Sequence, residues 1–178
     1  MLRRLDLLLT SAGKSDVSHD KIEPDPHSKT AAILVNGFNG LGLHTVMGVV
    51  KNFGKEFKNF VFIEIGVINA GNFKGVEEIS RLKSSVNKDL DRYVQFMNQH
   101  GYYARQFSAF GVEIAEEAEK IAVDISQQFP GIVFFGGQLV FMRENWINLL
   151  LHNYTVFTIQ KRFYQKGITF MILPIRVE

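Results

Sequence analysis

The stretch Ala31-Ala32-Ile33-Leu34-Val35-Asn36-Gly37-Phe38-Asn39-Gly40-Leu41-Gly42-Leu43-His44-Thr45-Val46-Met47-Gly48-Val49-Val50, residues 31–50, decides the fold. Five apolar residues in a row form a short buried strand and Asn36-Gly37 breaks it. Leu43, Val46, Met47 and Val50 then recur at helical spacing. Residues 30–50 carry no charge, and about 20 apolar residues suffice to cross a bilayer. Asn36, Asn39 and His44 would each need a partner in hydrocarbon, however, and Gly37, Gly40 and Gly42 favour a turn. A strand, a glycine loop and a helix are therefore expected here.

The alternation continues outward. Phe60-Val61-Phe62-Ile63-Glu64-Ile65-Gly66 reads as a second strand, and Val76, Ile79, Leu82, Val86, Leu90, Tyr93 and Met97 mark one long amphipathic helix closed by Gly101. Residues 103–110 alternate roughly, as a half-exposed strand near a sheet edge does. A third helix begins near Val112 with Ile114, Ala118, Ile121, Ala122 and Ile125 inward. Glu113, Glu116, Glu117 and Glu119 crowd its first turns, where the helix dipole favours carboxylates. Pro130-Gly131 stops it, and Ile132-Val133-Phe134-Phe135 reads as a central parallel strand ended by Gly136-Gly137.

A fourth helix carries Trp146, Leu149, Leu150, Tyr154 and Phe157 at helical spacing and is capped by Gly167. Thr155-Val156-Phe157-Thr158-Ile159 within it is rich in β-branched residues and also reads as a strand. The last strand, 168–177, contains Pro174, which a ladder tolerates mainly at an edge or a strand end. Five strands alternating with four helices predict an α/β, Rossmann-like three-layer sandwich with right-handed crossovers. Ligands bind such folds beyond the carboxyl ends of the strands, where strand order reverses. Those ends carry Asn36-Gly37, Gly66, Gly111 and Gly136-Gly137.

A chain of 178 residues, 46% apolar and 21% charged, has room for one sizeable core. The expected domain is 30–178. It is preceded by an amphipathic start and flexible linker over 1–29, where Pro24, Pro26 and many polar residues leave too little apolar surface to offset ordering. Met1-Leu2-Arg3-Arg4-Leu5-Asp6-Leu7-Leu8-Leu9 is too short, and too interrupted by Asp6, for a signal peptide. A net charge of +2 creates no strong field, so nucleic acid is not an expected partner. With no cysteine there is no disulfide, thiolate metal site or cysteine nucleophile.

The candidate site residues are Asn36, Gly37, Gly40, Glu64, Gly136 and Gly137. The loop from Asn36 to Gly42 either offers free backbone amides to a phosphate or is a tight turn needing positive φ. It matches neither G-x-G-x-x-G nor G-x-x-x-x-G-K-[ST]. Gly136-Gly137 permits either a sharp turn or close approach of a ligand. Glu64, a carboxylate inside an apolar strand, must be solvated, paired or shifted in pKa. His44 and His152 have no second ligand at metal-binding spacing. No serine sits in a G-x-S-x-G elbow, and Asp89 and Asp91 diverge on their helix. No catalytic residue, metal site or cofactor is expected, with a nucleotide as the alternative ligand.

The layout resembles the universal stress protein fold, which implies a parallel sheet of order 3-2-1-4-5. ATP-binding members of that family carry an aspartate after the first strand and a G-x-x-G motif, nine residues and G-[ST] after the fourth. Here Asn36 stands at the first position, and His152-Asn153-Tyr154-Thr155 occupies the place of the later glycine. The chain is also similar, over nearly its whole length, to the cytosolic carboxyl-terminal domain of a group of bacterial amino-acid permeases of the amino-acid and polyamine transporter superfamily. That likeness rests on Arg3-Arg4-Leu5-Asp6, residues 29–44, Phe60-Val61-Phe62 with Gly66-Val67, Phe73-Lys74-Gly75 and Leu150-Leu151-His152-Asn153. It implies a soluble, non-catalytic regulatory or assembly domain on the cytoplasmic side of the inner membrane, partnered by the permease's transmembrane region. Arg3-Arg4 would follow the last span on the cytoplasmic side. The alternative is a stand-alone nucleotide or small-anion sensor. The exposed last strand implies a homodimer through 168–177.

Overall fold

The computed structural model describes residues 22–68, 76–141 and 146–177. The elements run β1 (Lys29–Val35), α1 (Gly40–Phe53), β2 (Phe57–Val67), α2 (Val76–Gln99), β3 (Tyr103–Gly111), α3 (Ile114–Gln128), β4 (Val133–Phe141), α4 (Trp146–Gln165) and β5 (Phe170–Val177). All strand pairs are parallel and the sheet order is β3-β2-β1-β4-β5. The expected α/β sandwich and its strand order are therefore observed. Among the described residues, no helix is long and apolar enough to cross a membrane.

The period-2 alternation of the central strands splits the core in two. Ala31 and Ile33 of β1 with Phe60 and Phe62 of β2 pack against Leu43, Val46 and Val49 of α1 and Val86, Leu90, Tyr93 and Met97 of α2. Ala32, Val61 and Ile63 point the other way, onto Ala118, Ala122 and Ile125 of α3 and Ile159 and Phe163 of α4. Phe163 stands edge-on to both Phe134 and Phe170, with ring centroids 5.2 and 5.3 Å away. Two ion pairs from Glu119 on α3, to Arg162 at 3.0 Å and Lys166 at 3.3 Å, tie α3 to α4.

Several local expectations change. β4 does not end at Gly136-Gly137 but runs through them to Phe141, because β5 pairs with it residue for residue from Phe134 to Phe141. The β-branched stretch 155–159 is helical, since packing on β4 and β5 overrides its strand propensity. That helix buries Ile159 and Phe163, whereas Tyr154 and Phe157 are exposed. The side chains of Trp146, Leu149 and Leu150 lie outside the described residues. On α1 Val49 joins Leu43 and Val46 on the inward face, and Met47 is exposed. Pro174 is accommodated because β5 is an edge strand, and β3 forms the opposite edge.

Of the segment expected to be a linker, residues 25–28 are tied to the sheet. The Asn59 side chain, buried at the start of β2, accepts from the Asp25 amide at 2.8 Å and donates to the carbonyls of Asp25 at 2.7 Å and Ser28 at 3.1 Å. The linker residues 1–21 lie outside the described residues. Replacing Asn59 by alanine takes the side-chain partner from the half-buried Asp25 amide and Ser28 carbonyl, leaves the Asp25 carbonyl only its 3.3 Å bond from the Ser28 amide, and is expected to cost about 2 kcal/mol. A urea titration checks this, and an unchanged midpoint would mean that water replaces the amide.

Candidate functional site

The carboxyl ends of β1 and β4, where strand order reverses, open into a crevice of about 380 Å³. One wall is the loop after β1 and the first turns of α1, with Asn36, Asn39, Leu41, Gly42 and Thr45. The opposite wall is α4, with Thr155, Val156 and Ile159, and β4 contributes Gly136, Gly137 and Leu139. Open α/β sheets bind ligands at this position because the flanking helices diverge there.

The loop is built from its sequence. Gly37 has φ +73°, a conformation that favours glycine, so the expected turn is present. Asn39 is the N-cap of α1: its Oδ1 accepts from the Gly42 amide at 3.0 Å and its Nδ2 donates to the Asn36 carbonyl at 2.7 Å. Gly137 lets α1 approach β4, since a Cβ there would meet Thr45 Oγ1 and come 3.0 Å from Leu41 Cδ1. A Cβ at Gly136 would lie 2.8 Å from Phe170 Cζ and 2.9 Å from Val156 Cγ2 on the other face. Both glycines thus permit close packing of protein side chains while their backbone lines the crevice.

Behind the loop lies a polar knot. Glu64, opposite Val35 in the ladder, is only 6% exposed. Its Oε1 accepts from the Gly37 amide at 3.1 Å, and its buried Oε2 has no hydrogen-bond partner. Burial pushes the Glu64 carboxyl up to about 7, opposed by the Gly37 amide and reinforced by the Asp89 charge. Tyr93 of α2 donates to the Gly37 carbonyl at 3.0 Å, and its hydroxyl accepts from the Asn39 amide at 3.5 Å. Its ring stacks on Phe62 at 4.9 Å and tilts against Phe38 at 4.7 Å. Burial raises the phenol above its ordinary value, so the hydroxyl stays a neutral donor. Arg92 covers the outer face of Phe38, its guanidinium 3.9 Å from the ring centre.

The six residues singled out from sequence therefore divide. Asn36, Gly136 and Gly137 line the crevice, while Gly37 and Glu64 bind each other in the knot. Gly40 is the first residue of α1. Tyr93, Asn39 and Thr45 take part without having been singled out. Tyr93 was visible as a core position of its helix, but nothing local signals what its hydroxyl holds. Asn39 carried the available signal, an N-cap residue type directly before a helix. Among the described residues no group of three or more His, Asp or Glu could hold a metal ion.

No family model matches the sequence, and no curated protein matches it. Solved structures do. A protein from the universal stress protein family of Burkholderia pseudomallei superposes with a TM-score of 0.55 at 12% identity, covering 85% of this chain and all of that one. A universal stress protein from Archaeoglobus fulgidus gives 0.50 at 9% identity, covering 81% of this chain and 92% of that one. At these identities the likeness concerns the fold, and the chain has a universal stress protein-like α/β architecture.

Proposed function

We propose that this domain is a non-catalytic sensing and regulatory module whose crevice between β1, α1, β4 and α4 takes a small molecule. The observation that carries the reading is the crevice itself, at the topological switch point and within the usual range of ligand pockets, about 300–1,000 Å³. Its polar side chains among the described lining are Asn36, Asn39, Thr45 and Thr155. Amides and hydroxyls of this kind orient a ligand but are poor general acids or bases at neutral pH. Thermal-shift screening tests the reading: a ligand at about a hundred times its Kd stabilises the fold by about 2.7 kcal/mol. A flat screen across metabolite classes would count against it.

The output is a change of contacts with a partner, which requires the ligand to favour one of two states. By the sequence resemblance that partner is the transmembrane region of an amino-acid permease, with this domain on the cytoplasmic side of the inner membrane. Deleting the domain from such a permease is expected to change uptake or transporter abundance, and no change in either would sink this assignment. A second copy is proposed to pair along β5. This edge strand presents exposed Met171, and Tyr154, Phe157 and Tyr164 of α4 are exposed too. Light scattering that finds only monomer at high concentration would reject the dimer.

A further inference from the structure

Resting on the reading of the crevice as a ligand site, we propose that it takes an uncharged, largely apolar molecule with one hydrogen-bonding end, and that it turns phosphates and other anions away. Several of the backbone amides that would hold an anion are already occupied. Gly37 N–H donates to Glu64 Oε1 at 3.1 Å and Asn39 N–H to the Tyr93 hydroxyl at 3.5 Å. Gly42 N–H donates to the Asn39 side chain at 3.0 Å and Leu43 N–H to the Asn39 carbonyl at 3.1 Å. The Thr45 hydroxyl, on the α1 wall, donates to the Leu41 carbonyl at 2.8 Å. Helix starts bind anions through amides left without partners. This one supplies its own acceptor for the Gly42 amide in Asn39, and two buried side chains from β2 and α2 hold the Gly37 and Asn39 amides of the loop before it.

The rest of the surface agrees. Leu34, Ile63, Ile65, Ile114, Val156 and Ile159 supply a hydrocarbon wall, and no Lys, Arg or His occurs among the described lining residues. An anion entering this space would lose its hydration with no opposite charge among the described lining residues to compensate. A hydrocarbon or aromatic body gains from leaving water in proportion to its area. Asn36 and Thr155, both exposed lining residues, are the groups that would meet the ligand's single polar end.

The test uses the full chain, labelled at isoleucine and valine methyls and titrated separately with indole, 1-hexanol, ATP and inorganic phosphate. Indole or hexanol is expected to shift the methyls of Ile63, Ile65, Ile114 and Ile159 saturably, while ATP and phosphate leave them in place at millimolar concentration. Thr155→Phe, a change at an exposed position that narrows the crevice, is expected to weaken the apolar probe at least tenfold with the circular dichroism spectrum unchanged. ATP or phosphate shifting these methyls would overturn the ligand class and leave the ligand-site reading standing. If no probe moves them, both fall. An apolar titration indifferent to Thr155→Phe, or to the bulkier Val156→Phe should the first variant misfold, would place binding elsewhere and also overturn the inference.

Discussion

Replacing Gly42 by alanine is expected to destabilise the protein by about 3 kcal/mol, although alanine is the better helix former by about 1 kcal/mol. The added Cβ would meet the Tyr93 hydroxyl and come 2.9 Å from Cζ of the same ring. That ring cannot retreat, because it is fully buried, stacked on Phe62 and pressed by Phe38. Steric overlap therefore outweighs helix propensity. Tyr93→Phe alone removes the donor to the Gly37 carbonyl and is expected to cost about 2 kcal/mol. The two changes share one contact, so in the phenylalanine background Gly42→Ala should cost at least about 1 kcal/mol less than in the wild type. Urea unfolding of the four proteins measures this. Strict additivity would show that the helix shifts as a body and that Tyr93 is not what holds α1 in register.

The second large effect is a pH dependence carried by Glu64. Its carboxyl is pushed up to about 7 in the folded protein from an ordinary value of 4.5. The folded state thus binds this proton more tightly than the unfolded chain does. The associated stability is fully present below the unfolded value, declines as pH rises toward 7, and is lost above it. The groups that face the carboxylate are the Gly37 amide on the loop after β1 and Asp89 on α2. On the other side Ser108 of β3 stands beside it in the ladder.

Glu64→Gln keeps an acceptor for the Gly37 amide and abolishes the titration. The stability difference between wild type and this variant is expected to change by roughly 3 kcal/mol between pH 4.5 and pH 8, the wild type losing ground as pH rises. Chemical denaturation at a series of pH values reads it. A difference that stays flat would mean that solvent reaches the carboxylate and that Oε2 is hydrated in solution.

How much of this could be read before the structure depends on the residue. Periodicity sufficed where burial is one-sided and continuous. Leu90, Tyr93 and Met97 fall inward as their spacing requires, and so do Ala118, Ala122 and Ile125. It misled where glycine had two meanings. Gly136-Gly137 has the composition of a chain break, yet these residues sit inside β4 because Leu41 and Thr45 on one face and Val156 and Phe170 on the other need the space. It also misled on α4, where Tyr154 and Phe157 are apolar in type but exposed, the helix having rotated to bury Ile159 and Phe163. Glu64 was legible as an anomaly. Its partner, 27 residues away in the chain, was not.

The order of strands and helices, the turn at Gly37 and the cap at Asn39 were determined by the sequence alone, because each depends on neighbours within a few positions and on the intrinsic geometry of glycine, asparagine and apolar periodicity. The tertiary structure alone decided that Tyr93 and Glu64 grip one loop from two different elements, and that the Gly37, Asn39 and Gly42 amides beside the crevice already have acceptors. Those outcomes depend on which distant side chains meet, and that is set by how two layers of helices pack on a twisted sheet.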